Sequence, residues 1–319
     1  MNHKSVLELK QWLNQQIIGQ RHLVDRLLIA LLADGHLLVQ GAPGLAKTKA
    51  ISTLSNGVDA SFQRIQFTPD LLPGDVTGTE IYRPQDGSFN FQKGPIFHNL
   101  VLADEINRAP AKVQSALLEA MAERQVSVGS QSYPLSELFL VMATQNPIEQ
   151  EGTYPLPEAQ LDRFLMQVNV GYPNAIAEAE ILRLVRSEAD KSQYAQNPTK
   201  LPQQAIFTAR QQILSIHMAA SVEEYIVQLI VATREPAGYS TDLAHWIEFG
   251  GSPRATIALD RCARCYAWLE GRDYVSPDDV QLMLPDVLRH RLILSFEAEA
   301  NGISPDHVIG ELIAKVPAA

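Results

Sequence analysis

Eight residues constrain this chain more than any others: Gly41-Ala42-Pro43-Gly44-Leu45-Ala46-Lys47-Thr48. They follow an apolar run, Leu37-Leu38-Val39, and lead into Lys49-Ala50-Ile51-Ser52-Thr53-Leu54, which can continue as a helix. A strand, a Gly-rich turn, a Lys-Thr pair and a helix form a loop that wraps a phosphate chain. Glycines let the backbone curl so that successive N–H groups point at an anion. The new helix adds free N–H groups and the positive end of its dipole. Lys47 then reaches the β- and γ-phosphates, and the Thr48 hydroxyl ligates Mg²⁺. Ala46 stands where the last Gly of this motif is usual. Its methyl is tolerable if that residue keeps negative φ.

The 319 residues suffice for two domains with a sizeable core. A formal charge of −10 argues against non-specific binding to nucleic acid or to an anionic membrane. The longest purely apolar run, Leu27 to Ala33, is too short to span a bilayer, and no apolar h-region marks a secretory signal. These features lead to the expectation of a cytoplasmic protein. The two cysteines, Cys262 and Cys265, fall at helical i, i+3 spacing and read as small buried thiols. The histidines form no ligand cluster in the sequence, so no protein-built metal site is expected.

Four apolar runs and one alternating stretch, Phe62–Phe67, predict five strands: Leu37–Val39, Phe62–Phe67, Leu100–Glu105, Leu138–Ala143 and Leu165–Val170. Helical segments separate them, the signature of a mostly parallel sheet covered on both faces. Between Pro69 and Pro95, Glu80-Ile81-Tyr82-Arg83 and Phe89-Asn90-Phe91-Gln92 flank an Asp86-Gly87 turn signal and predict a projecting hairpin. Beyond Tyr172-Pro173-Asn174 only helical patterns are expected. The reading is an α/β domain over residues 1–173 followed by an all-α lid over 174–319.

Asp104 and Glu105 end the third strand. Acids at the carboxyl end of a parallel strand lie on the same edge as the phosphate loop. Asp104 there can hold Mg²⁺, directly or through water, and Glu105 can deprotonate a water aimed at the γ-phosphate. Asn146 ends the next strand, where its amide can hold that water or touch the γ-phosphate.

These residues carry a resemblance. The chain resembles the AAA+ ATPases, and within them the MoxR group, over nearly its whole length. The likeness rests on Gly41–Thr48, with its Ala46, and on Leu102-Ala103-Asp104-Glu105-Ile106-Asn107-Arg108-Ala109. It rests also on the long run from Ala143 to Phe164 and on Gly251-Ser252-Pro253-Arg254-Ala255. It implies that Lys47, Thr48 and the loop residues Gly41 to Ala46, with Lys49, bind ATP. It makes Asp104 and Glu105 the Walker B pair and Asn146 sensor 1. Arg163 becomes an arginine finger reaching a neighbouring subunit's nucleotide, and Arg254 becomes sensor 2. Ile18-Gly19-Gln20 matches the segment that contacts adenine. The hairpin near 76–92 resembles a helix-2 insert, and Arg124 to Leu138 a pre-sensor hairpin. Arg108 meets either a phosphate or a neighbouring acid.

The expectation is thus an ATP- and Mg²⁺-dependent homo-oligomeric ring, by resemblance a hexamer, that remodels or matures client proteins. Metal-cofactor insertion or complex assembly is the expected task. A von Willebrand factor A partner would be a separate protein, because no D-x-S-x-S motif occurs here. Two alternatives stand beside this reading: a nucleic-acid motor or loader, and a nucleotide-gated scaffold with little hydrolysis.

Overall fold

Runs of apolar residues that do not alternate need cover on both faces, and such runs form the middle strands of the sheet here. The structure is a computed structural model describing residues 2–85, 87–129, 131–147, 152–189 and 199–318. The chain forms two compact units, Met1–Leu156 with Val168–Phe207, and Pro157–Gln167 with Thr208–Ala319. These units interleave across residue 173, where the sequence suggests a single cut.

The first unit opens with α1 (Asn2–Gln16) and α2 (Arg21–Leu32), followed by β1 (Leu37–Gly41), α3 (Lys47–Gly57) and β2 (Phe62–Gln66). Then come α4 (Pro73–Thr77), β3 (Gly78–Arg83), β4 (Ser88–Lys93), β5 (Leu100–Asp104) and α5 (Ala111–Glu123). After β6 (Gln125–Val128), β7 (Gln131–Pro134) and β8 (Leu140–Gln145), the short α6 (Glu158–Leu161) belongs to the second unit. Next are β9 (Met166–Val170), α7 (Ala175–Ala189) and α8 (Gln203–Leu214).

The sheet order is β2-β5-β8-β1-β9. β2, β5, β8 and β1 pair in parallel, with Gln66 opposite Asp104, Ala103 opposite Ala143, and Val39 opposite Thr144. Every residue of β5 is buried, as are five of the six in β8. This register brings the carboxyl ends of β2, β5, β8 and β1 to one edge. The residues that follow them, the 41–48 loop, Glu105 and Asn146, therefore emerge there together.

Two antiparallel ribbons stand apart from this sheet. β3 and β4 pair with Tyr82 opposite Phe89, and β6 pairs with β7. Of the expected Asp86-Gly87 turn, Asp86 lies outside the described residues, while Gly87 adopts φ 68. Tyr82, Phe89 and Ile81 are exposed on the first ribbon. Farther down, Phe91 stacks on Tyr133 of the second ribbon with centroids 4.0 Å apart and planes at 19°. Two short ribbons, each marginal alone, thereby support one another.

The second unit holds α9 (Ala220–Arg234), α10 (Thr241–Trp246), β10 (Ile247–Phe249), α11 (Pro253–Leu269) and α12 (Pro277–Leu288). β11 (Ile293–Leu294), α13 (Phe296–Ala300) and α14 (Pro305–Lys315) close the chain. Three helices begin at Ser-Pro. Ser252, Ser276 and Ser304 each accept a backbone N–H with the side chain, and Pro fills a first-turn position that needs no donor. Cys262 and Cys265 form no disulfide and are fully buried on α11. The all-helical expectation needs one correction: β10 and β11 form a small antiparallel pair. Strands of three and two residues are too short for alternation to register in a sequence.

Phe91→Ala removes the aromatic stack between the ribbons, about 0.5–1.5 kcal/mol beyond area burial. Hydrogen exchange should accelerate in β3, β4, β6 and β7, with the central sheet unchanged. Acceleration spread through β5 and β8 would show that the ribbons belong to the main cooperative unit.

Candidate nucleotide site

The loop after β1 is built by two left-handed residues. Gly44 has φ 83 and Ala46 has φ 59. Ala46 thus does not keep the negative φ at which its methyl would be free of strain. The chain places an L-residue in a conformation that costs about 1–2 kcal/mol. Left-handed residues at this spacing turn backbone N–H groups inward just before α3, forming an anion-binding concavity. The loop's two glycines serve different purposes. Gly44 would find open space around an added Cβ, so its positive φ is what asks for glycine. Gly41 lies in β1, where a Cβ would sit 2.6 Å from the carbonyl oxygen of Val170 in β9. Close strand packing, not phosphate wrapping, accounts for it. Lys47 is buried, and its Nζ donates to the Gly41 carbonyl at 2.5 Å. That bond holds the ammonium inside the loop.

Asp104 is 8% exposed. A carboxylate so buried needs strong partners. Its Oδ2 accepts from Arg64 Nε at 3.1 Å and Nη2 at 2.7 Å, and its Oδ1 accepts from the Thr144 hydroxyl at 2.6 Å. The same Thr144 oxygen accepts from the backbone N–H of Glu105 at 2.9 Å. One hydroxyl of β8 thus aligns both acids of β5. Glu105 adopts φ 56 and ψ 50, the second left-handed non-glycine of the site. Strain of this kind concentrates at functional positions. Its Oε2 accepts from Gln66 Nε2 at 2.9 Å and from Arg108 Nη1 at 3.2 Å. Arg108 accordingly meets a neighbouring acid.

Pro43 through Lys49, Arg64, Asp104, Glu105 and Asn146 line one pocket of about 390 Å³. Asn146 is 5% exposed. Of the loop residues named from sequence, Gly41 and Ala42 are not among this lining. Gly19 is elsewhere in the same unit, with a left-handed φ of 79 and tight surroundings: an added Cβ would stand 3.0 Å from Ala177 and 3.1 Å from Pro173. Arg163 and Arg254 belong to the second unit. Arg163 follows α6, and Arg254 is the second residue of α11.

Arg64, Gln66 and Thr144 were not legible as site residues. Arg64 and Gln66 are two apart on β2 and so share a face. Gln63 on the opposite face is polar as well, so no one-sided pattern within β2 singled them out. Among the described residues no group of three or more His, Cys, Asp or Glu could hold a metal by itself. The donors in the pocket, a concave run of N–H groups, an ammonium, a hydroxyl and a carboxylate, fit a phosphate chain carrying a hard cation that takes oxygen ligands.

A five-stranded sheet with this loop at its carboxyl edge and a helical unit after it defines an AAA+ ATPase fold. A family described as "ATPase family associated with various cellular activities (AAA)" matches residues 36–166, and an AAA lid domain matches 240–312. The chain is 49% identical to "Chaperone MoxR1" of Mycobacterium tuberculosis, over 94% of this chain and 78% of that one. It is 43% identical to the Bacillus subtilis protein YeaC, over 95% and 92%. A crystal structure of a Cytophaga hutchinsonii protein assigned as an ATPase superposes with a TM-score of 0.91 at 45% identity, covering 100% of this chain and 96% of that one. The chain belongs to the MoxR family of chaperone-like AAA+ ATPases.

Arg64→Ala removes two of the three hydrogen bonds described at the buried Asp104 carboxylate. We expect a loss of about 1–2 kcal/mol, the lower part of the range for charged hydrogen bonds, because half of the Arg64 side chain faces solvent. Urea denaturation measures it. An unchanged midpoint would mean that solvent replaces the guanidinium at no cost.

Proposed function

We propose that this chain hydrolyses ATP·Mg²⁺ in the 390 Å³ pocket and uses the cycle to remodel client proteins as a ring of like subunits. The observation that carries the reading is the convergence of the 43–49 loop, Asp104, Glu105 and Asn146 on a single cavity. Lys47 and the inward N–H groups bind the β- and γ-phosphates. Thr48 and Asp104 hold the cation, which offsets charge on the transferred phosphoryl group. Glu105 takes a proton from the attacking water, and Asn146 orients it. Arg163 supplies a guanidinium to the neighbouring subunit's γ-phosphate. Arg254 meets the nucleotide of its own subunit from the lid. Gly19 and its neighbours contact adenine.

The exposed aromatics of the β3–β4 ribbon are the surface we assign to client contact. Maturation or assembly of a client, with a separate von Willebrand factor A partner, in the cytoplasm, completes the proposal. A hexameric ring is the assembly we propose. The chain's acidic balance disfavours the nucleic-acid motor as the reading. No helix among the described residues is long and apolar enough to cross a membrane.

Lys47→Ala should weaken ATP binding at least tenfold, matching the loss of one charged hydrogen-bond partner worth about 1.5–3 kcal/mol. Calorimetric titration with unchanged affinity would refute the phosphate-loop role.

Glu105→Gln should retain ATP·Mg²⁺ binding but reduce turnover by about 10²–10⁴, as for loss of a general base. Arg163→Ala should likewise bind ATP and hydrolyse it poorly. Mixing the two variants should restore activity, since Glu105 from one subunit can meet Arg163 from the other. No rescue despite verified subunit exchange would exclude Arg163 as a residue acting in trans.

A further inference from the structure

Arg291 of the second unit is engaged at every donor nitrogen of its guanidinium. Its side chain is 3% exposed. A guanidinium carries five N–H donors in a fixed fork. Here five acceptors receive them. Nε donates to Asp162 Oδ1 at 2.7 Å. Nη1 donates to the Leu165 carbonyl at 3.2 Å and to that of Val287 in α12. Nη2 donates to the carbonyls of Phe164 at 2.5 Å and Asp162 at 3.3 Å. Three of the five acceptors are carbonyls of the stretch that carries Arg163, on both sides of it.

The other Asp162 oxygen faces a different segment. Oδ2 accepts from the Ser252 hydroxyl at 2.7 Å. Ser252 caps α11, and its oxygen accepts from the backbone N–H of Arg254 at 3.1 Å. A continuous path thus runs from the peptide groups flanking Arg163, through Asp162 and Ser252, to the backbone of Arg254. The neighbouring His290 reinforces it. Burial, and after it the adjacent Arg291 cation, hold the imidazole well below its ordinary value of 6.5, so the ring is neutral. A neutral ring facing a carbonyl must carry its proton on Nε2, which donates to Phe164 O at 3.2 Å.

We propose that Arg291, Asp162 and Ser252 form a clamp that makes the Arg163 segment and the start of α11 one rigid piece, so that Arg163 and Arg254 move together. The clamp rests on the roles proposed above for these two arginines. It makes Arg291, Asp162 and Ser252 positioning residues. A subunit whose Arg254 responds to its own nucleotide then shifts, by the same motion, the arginine it offers to its neighbour. Two readings of nucleotide state, one within the subunit and one across the interface, become a single mechanical coordinate. Lysine at 291 could not substitute, having three donors for five acceptors.

Ser252 is the point at which to cut this link, because Arg291 and Asp162 variants leave a buried charge unpaired. Glycine is an accepted helix cap, so Ser252→Gly removes the bond to Asp162 while α11 keeps its start. The mixed-subunit assay isolates the effect. Glu105→Gln subunits donate Arg163, and Arg163→Ala subunits, whose own Lys47, Glu105 and Arg254 are intact, hydrolyse ATP. Adding Ser252→Gly to the donors alone should lower turnover by about 10–100-fold, the consequence of a misplaced catalytic group. The KM for ATP at the acceptor sites should not change. Ser252→Thr, which keeps the hydroxyl, should restore turnover to within about threefold of the parent mixture. Full turnover with folded, assembled Ser252→Gly donors would overturn the clamp.

A second measurement tests it independently of arginine function. Nitroxides at Ala159→Cys and Ile257→Cys report the distance between the two segments, and the native Cys262 and Cys265 are too buried to label. The clamp requires one narrow distance distribution, identical without nucleotide and with ATP trapped by Glu105→Gln, that broadens in Ser252→Gly. A shift between nucleotide states in the chain with Ser252 intact would refute it. If the parent mixture shows no rescue yet the distance stays fixed, the trans role of Arg163 falls and the clamp stands.

Discussion

A carboxylate in the interior of a sheet is tolerable only when its lone pairs are taken, and Asp104 places that demand on three strands at once. β2 answers with Arg64 and β8 with Thr144, from either side of β5. The Thr144 oxygen then fixes the amide of Glu105, and Gln66 reaches the Glu105 carboxylate from the same face as Arg64. A slip of one residue in either pairing would turn that strand's partner to the opposite face and leave one Asp104 oxygen without it. The acidic pair and the register of the sheet are therefore mutually enforcing, and the phosphate loop inherits its position from that register.

Chemistry that depends on contiguous residues was legible in the sequence. Gly41–Thr48 could be read because a phosphate loop is local, and Asp104-Glu105 because they terminate an apolar run. Four strands of the sheet followed from apolar runs, and β2 from alternation. What escaped reading was non-local. Arg64 and Gln66 acquire meaning only once β2 is known to lie beside β5, which no spacing within β2 reveals. Thr144 is an ordinary strand residue until its hydroxyl is seen between two acids. The left-handed conformations of Ala46 and Glu105 run against local preference, so nothing in their residue types announces them. β10 and β11 were too short to carry a pattern.

The division of the chain shows a similar limit. A boundary drawn where strands give way to helices falls near 173. The stretch Pro157–Gln167 nevertheless belongs with the helical unit, because Arg289 donates to the Gln167 carbonyl and Arg291 to those of 162, 164 and 165. Hydrogen bonds to backbone carbonyls leave no trace in the identity of the residues that accept them. Arg163 thus sits, in sequence, just before the last strand of the sheet, and by its contacts in the unit of α11 and α12.

The stack of Phe91 on Tyr133 joins two ribbons separated by an entire strand and helix of the chain. Side chains along a ribbon alternate between its two faces, so each aromatic ring is a statement of parity. Between the sheet and either ring, a gain or loss of two residues preserves the facing. A change of one inverts it and separates the rings. Length variation below Phe91 and Tyr133 should then occur in even steps, or in odd steps accompanied by a bulge that restores parity. Beyond the rings, toward the tips, no such rule applies. The ends of the ribbons can lengthen freely while their bases keep count.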